Sequence, residues 1–530
     1  MTEERKNLRS ALLAAAAVFL VSAGLSAWSA ARNFEGGLSH EFCQYAEIAR
    51  NIRAGEGLRS RMVYPAALAA LDARGVPGGD AWPLLERFPL HAWATAAAQA
   101  LWGENDGASL ALSGLTLALL AAGTAAAGSL LWGPGAGLAA GLILALGPSF
   151  QRGFVLWGLS DLGFALLTLA AAGLLLALRG RSAAGWVWAA AGLLAGAAWM
   201  YRSNFMIWLP LFGWWIYKRG GAGRGLPRLL WWSGGFLLAA APGMVYNWFW
   251  SGSLGQSTLP WNLSHRVVTE NLPWLEYRVF TLGEPLRHPL LLAGKWWKLF
   301  LMHLKGWPGL WQFHLVWPAA AWGAFTLWRE RRREGTAADG AALYLGMLAI
   351  QVFVFSFLRF EELGRAGGRY YLWFAPAAAL LAARGAWALR PAARVTYLAA
   401  AFAYAGWWLA TPQGAPAYPG RLPAKDWPEL RLAAQAAGPG GLVATNLPGQ
   451  MVWYARARAV QLPPDPAGLE AIMLRHKVDA VLLTRLPLGE PGNLPGWRAI
   501  ATEDAALKAF CLKNGFGRVK DIGTSVILAR

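Results

Sequence analysis

The sequence predicts a polytopic α-helical membrane protein with a small α/β domain at its C-terminal end, and three observations carry that prediction. Hydrophobic residues make up 56% of the 530 residues, with 32 Trp, which is more apolar surface than one water-soluble core can hide. Charged residues amount to only 15% and sit between long Ala/Leu/Trp-rich runs, the pattern of helices of about 20 residues crossing about 30 Å of hydrocarbon. After Thr411 the composition shifts to Pro/Gly-rich loops with short apolar runs, as in a folded unit outside the bilayer.

The first apolar run, Ser10 to Ala31, follows Arg5, Lys6 and Arg9. It is long for a signal-peptide core and further runs follow, so it reads as an uncleaved first helix. Apolar stretches at 160–178, 184–200, 204–218, 228–248, 309–328, 340–358, 370–388 and 395–411 read as spans. Their connectors alternate in basic content, and the basic ones are Arg179 with Arg181, Lys218 to Arg228, Arg329 to Arg333, and Arg390 with Arg394. The positive-inside bias places these in the cytoplasm, and Asp161 and everything after Thr411 outside. The net charge of +19 therefore reports topology, and no nucleic-acid partner is expected.

The N-terminus is cytoplasmic on this reading, so the loop from Arg32 lies outside and an even number of spans separates it from Asp161. Three stretches, 88–103, 109–131 and 136–150, compete for those places. About eleven to thirteen crossings are expected, odd in number. Residues 1–412 form the membrane domain, with outer loops at about 32–87 and 249–308. The second loop carries an amphipathic stretch around Lys295, Trp296, Trp297 and Lys298, suited to the headgroup level. Residues 413–530 form the outer α/β domain, with strands at Gly441–Thr445, Val478–Leu483 and Ser525–Leu528 and helices at Pro466–Lys477 and Thr502–Asn514. Cys43 and Cys511 are too few for a disulfide scaffold, although both fall outside and could pair.

Candidate chemistry begins in the first outer loop. Tyr45, Ile48, Ala49 and Ile52 fall at i, i+3, i+4 and i+7, one apolar stripe on a helix lying against the membrane. Ser39 can cap that helix, which puts Glu41 in its first turn, where the helix dipole favours an ionised carboxylate. Such a carboxylate is suited to act as a general base, or it merely complements the dipole. Glu86 and Arg87 stand at the start of an apolar helix opened by Pro89. Arg87 either holds a phosphate oxygen or anchors the helix at the interface beside Trp93. Asp161, after Ser160, is either a functional outer acid or part of a helix start. Arg202, Arg365 and Arg369, the last followed by Tyr370, lie at further outer turns, and together with Arg87 they look like an anion site.

Taken in order, these positions resemble the GT-C glycosyltransferases, in particular the branch of protein O-mannosyltransferases and lipid A aminoarabinose transferases. That pattern is an acidic residue four positions before Tyr, then Ala-Arg and a Gly-x-Gly turn, matched here by Glu41, Tyr45, Ala49-Arg50, Gly55 and Gly57. Arg87-Phe88-Pro89-Leu90 with Trp93 matches in part a basic residue, a Pro-Pro-Leu run and an aromatic. Gly103-Glu104 continues it, Asp161 takes the place of a second outer acid, and Arg369-Tyr370 with Pro376 looks like a late Arg-Tyr motif. Val443 to Asn446, Trp453-Tyr454, Arg456 to Arg458 and Leu462-Pro463 look like the extracytoplasmic domain of bacterial relatives. Two positions depart: the usual catalytic Asp is Glu41, whose reach is about one methylene longer, and the first Pro of the pair is Phe88.

The resemblance implies an inverting glycosyltransferase that moves a sugar from a polyprenyl-phosphate carrier to a lipid, protein or glycan acceptor at the outer face of a bacterial inner membrane. Glu41 and Asp161 would be catalytic. The expected substrate-binding set is His40, Tyr45, Glu86, Arg87, Arg202, Arg365, Arg369 and Tyr370, with the arginines neutralising the departing lipid phosphate. No dense His or carboxylate cluster of the kind a metal needs is evident, so no metal or other cofactor is expected. A lipid or sugar transporter or flippase and a non-catalytic membrane assembly factor on the same scaffold are the rival readings.

Overall fold

The structure is a computed structural model describing residues 3–37, 39–76, 78–179, 183–219, 225–255, 258–333, 335–358, 367–411, 423–485 and 494–530. Arg181, Arg365 and the expected domain boundary at 412/413 lie outside the described residues.

Helix α1 spans Glu3–Asn33; at 1.5 Å per residue it is about 46 Å long, more than the hydrocarbon thickness. α2 (His40–Arg53) is capped by Ser39, whose hydroxyl accepts from the Glu41 N–H at 3.2 Å, as the sequence predicts. α3 (Pro65–Ala73) and α4 (Pro89–Trp102) both open on proline, where a missing N–H costs nothing. α5 (Asp106–Trp132) is capped by the Asn105 side chain, and α6 (Pro134–Ala145), α7 (Asp161–Ala177) and α8 (Gly185–Tyr201) follow. Then come α9 (Leu209–Arg219), α10 (Gly225–Ser251), α11 (Thr258–Ser264), α12 (Gly283–Leu286) and α13 (Pro289–Gly306). α14 (Val316–Arg329), α15 (Gly335–Leu358), α16 (Ala375–Trp387) and α17 (Pro391–Ala410) complete the series.

Four of these, α1, α5, α10 and α15, are long and apolar enough to cross a membrane. They leave large side chains such as Leu20, Leu119, Leu238 and Phe353 exposed, and apolar surface on that scale calls for lipid as its solvent. Where α8 meets α10 the contact is backbone to backbone. A Cβ on Gly192 would stand 1.9 Å from the Trp232 carbonyl oxygen, and one on Gly235 2.0 Å from that of Ala189. Small residues are what let membrane helices approach this closely.

Four stretches expected as single helices are broken. A π-helical turn at Ser149–Phe154 follows α6, and 3-10 segments at Ser203–Trp208, Trp307–Gln312 and Gly367–Phe374 precede α9, α14 and α16. Gly147-Pro148 explains the first break, since proline keeps the residue before it out of the α region and cannot donate into a helix. Two of the others flank or contain the arginines described below.

The sheet is assembled from distant parts of the chain. β1 (Arg59–Ser60) pairs with β3 (Trp82–Pro83) as a short antiparallel ribbon. β2 (Met62–Val63), β4 (Leu442–Thr445), β5 (Arg458–Gln461), β6 (Ala480–Thr484), β7 (Arg518–Asp521) and β8 (Ser525–Ala529) form one sheet in the order β2-β5-β4-β6-β8-β7. β2, β5, β4 and β6 run parallel, and β8 and β7 antiparallel. Helices α18 (Pro428–Ala437), α19 (Pro448–Tyr454), α20 (Pro466–Met473), α21 (Arg498–Thr502) and α22 (Asp504–Asn514) accompany it. Val443, Val460, Leu482 and Ile527 are buried in its core, as strands covered on both faces require. The edge strand β2 belongs to the stretch between α2 and α4, so the sheet ties that stretch to the C-terminal residues.

One expectation is corrected. α2 does not lie against lipid. Its stripe packs on protein, Tyr45, Ile48 and Ile52 clustering with Leu84 and Ala92, and a second side, Phe42, Cys43 and Ala46, packs on Trp453 of α19. Lys295 is buried, its Nζ donating to the Asn262 and Leu263 carbonyls at 2.7 and 3.3 Å, while Trp297 and Lys298 of the same stretch are exposed. Those carbonyls lie at the end of α11, where the chain leaves orphan acceptors that attract a cation. Cys43 and Cys511 are both buried free thiols; Cys43 Sγ donates instead to the Gly37 carbonyl.

Candidate active site

Five parts of the chain deliver the charged groups of the site. α2 carries Glu41 in its first turn, the residues before α4 carry Arg87, the start of α7 carries Asp161, and the C-terminal end of α8 carries Arg202. Arg369 comes from the 3-10 segment before α16 and joins the two carboxylates. Its Nη2 donates to Glu41 Oε2 at 2.5 Å and its Nε to Asp161 Oδ2 at 3.1 Å. Arg87 Nη1 stands 3.5 Å from Glu41 Oε2, and Arg202 Nη1 stands 2.8 Å from Asp161 Oδ1. Both carboxylates are buried. Charges held this way must be paired.

Aromatic and amide groups fix the arginines. Arg202 and Arg369 both lie over the Tyr370 ring, 5.0 and 5.6 Å from its centre, and Arg87 lies 5.9 Å from the centre of Tyr45, each within cation–π range. Arg87 Nε donates to Gln44 Oε1 at 2.8 Å, and Gln44 Nε2 donates to Glu86 Oε1 at 2.7 Å. Glu86 thus sits one residue behind Arg87. His91 closes the floor, its ring edge-on to Tyr45 and its Nε2 3.1 Å from the Gly158 carbonyl.

Burial alone pushes the Glu41 carboxyl up, but Arg369, Arg87 and Arg202 outweigh it and hold the group well below the usual carboxylate range. Burial pushes the Glu86 carboxyl up. In ion-pair range, three guanidinium groups meet two carboxylates, and the arrangement suits one further anion. His40 is held neutral, lowered to about 4 by burial and then by Arg87. Neither of its ring nitrogens has a hydrogen-bond partner. Among the described residues no three His, Cys, Asp or Glu side chains are grouped as metal ligands.

Of the residues singled out from sequence, Glu41, Asp161, Arg87, Arg202, Arg369, Tyr45 and Tyr370 come together directly, with Glu86 behind Gln44 and His40 beside Glu41. Arg365 lies outside the described residues. Three residues were missed. Gln44 lies three positions after Glu41, on the same helix face, and that spacing could have found it. Ser160, whose hydroxyl donates to Glu41 Oε1 and accepts from Arg202 Nη1, both at 3.4 Å, adjoins Asp161. Tyr64 accepts from Arg87 Nη2 at 3.4 Å. It gets there because β2 pairs with β5, almost 400 residues further on, and no local signal announces that.

The chain shares its fold with two solved structures of GT-C glycosyltransferases. Among solved structures, the chain is similar to ArnT from Cupriavidus metallidurans bound to undecaprenyl phosphate, at 15% identity and a TM-score of 0.54, over 98% of this chain and 97% of that one. It is also similar to the oligosaccharyltransferase AglB from Archaeoglobus fulgidus in complex with an inhibitory peptide and a dolichol-phosphate, at 12% identity and a TM-score of 0.53, over 91% of this chain and 70% of that one. No protein-family model and no curated protein matches the sequence.

Proposed function

We propose that the protein is an inverting glycosyltransferase that moves a sugar from a polyprenyl-phosphate carrier to an acceptor at the outer face of a bacterial inner membrane. The observation that carries this reading is the convergence of three arginines on two carboxylates, which leaves guanidinium donors for the phosphate of a lipid donor. The two similar structures each hold a polyprenyl or dolichyl phosphate, which supports the same ligand class here.

In the proposed reaction the acceptor's hydroxyl or amine attacks the anomeric carbon from the face opposite the phosphate. The new glycosidic bond forms as the bond from that carbon to the phosphate oxygen breaks, and the electron pair leaves with the lipid phosphate. Glu41 takes the proton of the nucleophile. Arg87, Arg202 and Arg369 stabilise the phosphate charge in a poorly hydrated site, where such donors act most strongly. Asp161 keeps Arg369 and Arg202 in place, and His40, Tyr45, Glu86 and Tyr370 line the substrate. Residues 1–412 make the membrane domain with about eleven to thirteen crossings, the N-terminus is cytoplasmic, and residues 413–530 with β2 stand outside.

The test is to incubate the purified protein with radiolabelled polyprenyl-phosphate sugars and follow release of free lipid phosphate. Turnover is expected, falling by about 10²–10⁴ in Glu41→Gln. If no donor turns over and Glu41→Gln changes no cellular phenotype, the transferase reading fails and transport or assembly takes its place.

A further inference from the structure

We propose that the far edge of the sheet carries a second anion site, for a phosphate-bearing ligand, distinct from the Glu41–Arg369 cluster. A cavity of about 700 Å³ opens there, lined by Asp72 and Gly75 of the first outer loop, the Pro439–Leu442 loop, Arg458, and Arg475 to Lys477 with Asp479. That volume is in the range of small-molecule sites.

The direction of the strands separates this cavity from the active site. Leu442 and Arg458, which begin β4 and β5, line it, as does Asp479 just before β6. The opposite ends of the strands lead to the catalytic side. β4 gives way to α19, where Gly449 packs on His40, and β2 gives way to Tyr64, which holds Arg87. A four-residue strand alone spans about 13 Å.

The polar groups at the cavity sort by partner. Asp72 is taken by His476, whose Nε2 stands 2.9 Å from Oδ2, and by the Tyr277 hydroxyl. Asp479 is taken by Lys477 at 2.8 Å and by the Leu442 N–H at 3.0 Å. Arg458 donates through Nη1 to the Gly440 carbonyl at 3.3 Å and lies over Trp82, but its buried Nε has no partner. The Trp82 Nε1, beneath the cavity wall at Gly78, is likewise buried without one. Arg475 is exposed, with no carboxylate in ion-pair range among the described residues. Both buried groups without a partner here are donors, Arg458 Nε and Trp82 Nε1, and the exposed Arg475 brings a second guanidinium to the cavity, so the fitting ligand is an acceptor with negative charge. Phosphate matches that geometry. Arg74 at the cavity's rim donates to the Phe249 carbonyl near the end of α10, so the phosphate could be that of a membrane lipid headgroup or of a soluble molecule.

Titrating the full-length protein in detergent with inorganic phosphate at fixed ionic strength, with calorimetric readout, tests the site. Binding is expected to weaken by about tenfold or more in Arg475→Gln, to be lost when Arg458→Gln is added, and to persist in Arg87→Gln. Arg475 is exposed, so its single variant is expected to stay folded, and an unchanged thermal midpoint checks this. Binding that disappears in Arg87→Gln and is unchanged in Arg475→Gln overturns the proposal and assigns all anion affinity to the catalytic cluster. Repeating the titration in nanodiscs identifies the source. Phosphate affinity lower in phosphatidylglycerol than in phosphatidylcholine means that a headgroup occupies the cavity, and equal affinity means a soluble ligand.

Discussion

Glu41 is held so firmly by arginines that it is a weak base while the site is empty. A donor phosphate would draw Arg87 and Arg369 toward itself, loosening their hold on the carboxylate and raising its basicity when the acceptor needs it. The acid limb of kcat, which reports the substrate-bound enzyme, is therefore expected at higher pH than that of kcat/KM, which reports the free enzyme; pH–rate profiles check this. Arg87→Gln is expected to raise the kcat/KM limb by removing one of the cations that hold Glu41 low. The same depression acts on stability. Because the folded state lowers the carboxyl below its ordinary value of 4.5, its contribution is full above that value and is lost as pH falls from there, which acid titration of thermal unfolding would show. At this scale the first-turn carboxylate and its Ser39 cap were legible, because capping is local. Gln44 was legible from its spacing to Glu41 but not singled out, whereas the role of Tyr64 exists only once the sheet brings it beside Arg87.

At the scale of elements, the closest approaches depend on missing side chains. Gly235→Leu would press a side chain into the α8 backbone, where even a Cβ has no room. A loss of at least about 1–3 kcal/mol is expected, read as a lower thermal midpoint in detergent. Gly234, with open space around its Cβ position, is the control at which Ala is tolerated. Helix placement was largely visible as apolar runs, and the observed α8, α10, α15 and α17 lie within a few residues of the expected stretches. The 3-10 and π segments were not foreseen, because hydropathy persists through a break in backbone hydrogen bonding. Those breaks matter for the site: Arg369 bridges two carboxylates from a 3-10 segment, and Arg202 sits at the hinge between α8 and another.

At the scale of the whole molecule, the sheet is clamped to the membrane helices through α2 and α5. Arg50 Nη2 donates to the Val452 carbonyl at 2.8 Å, and the Trp453 indole and Tyr454 hydroxyl donate to Asp106 at 2.7 and 3.0 Å. Arg50→Ala is expected to loosen this joint by about 1–3 kcal/mol, seen as faster amide hydrogen exchange in α19 with the membrane core still folded. The proposed topology predicts that Lys508→Cys reacts with a membrane-impermeant maleimide in intact cells, whereas Arg333→Cys reacts only after permeabilisation. Composition and periodicity by themselves determined a multi-helix membrane chain, the capped helix carrying Glu41 and most strands after residue 440, because hydropathy and capping are properties of neighbouring residues. Only the tertiary structure decided that β2 completes the sheet, that α2 is covered by protein instead of lipid, and that Arg87, Arg202 and Arg369 meet Glu41 and Asp161. Those outcomes depend on contacts between residues up to several hundred positions apart, where burial and charge pairing act through space and leave no mark on local sequence.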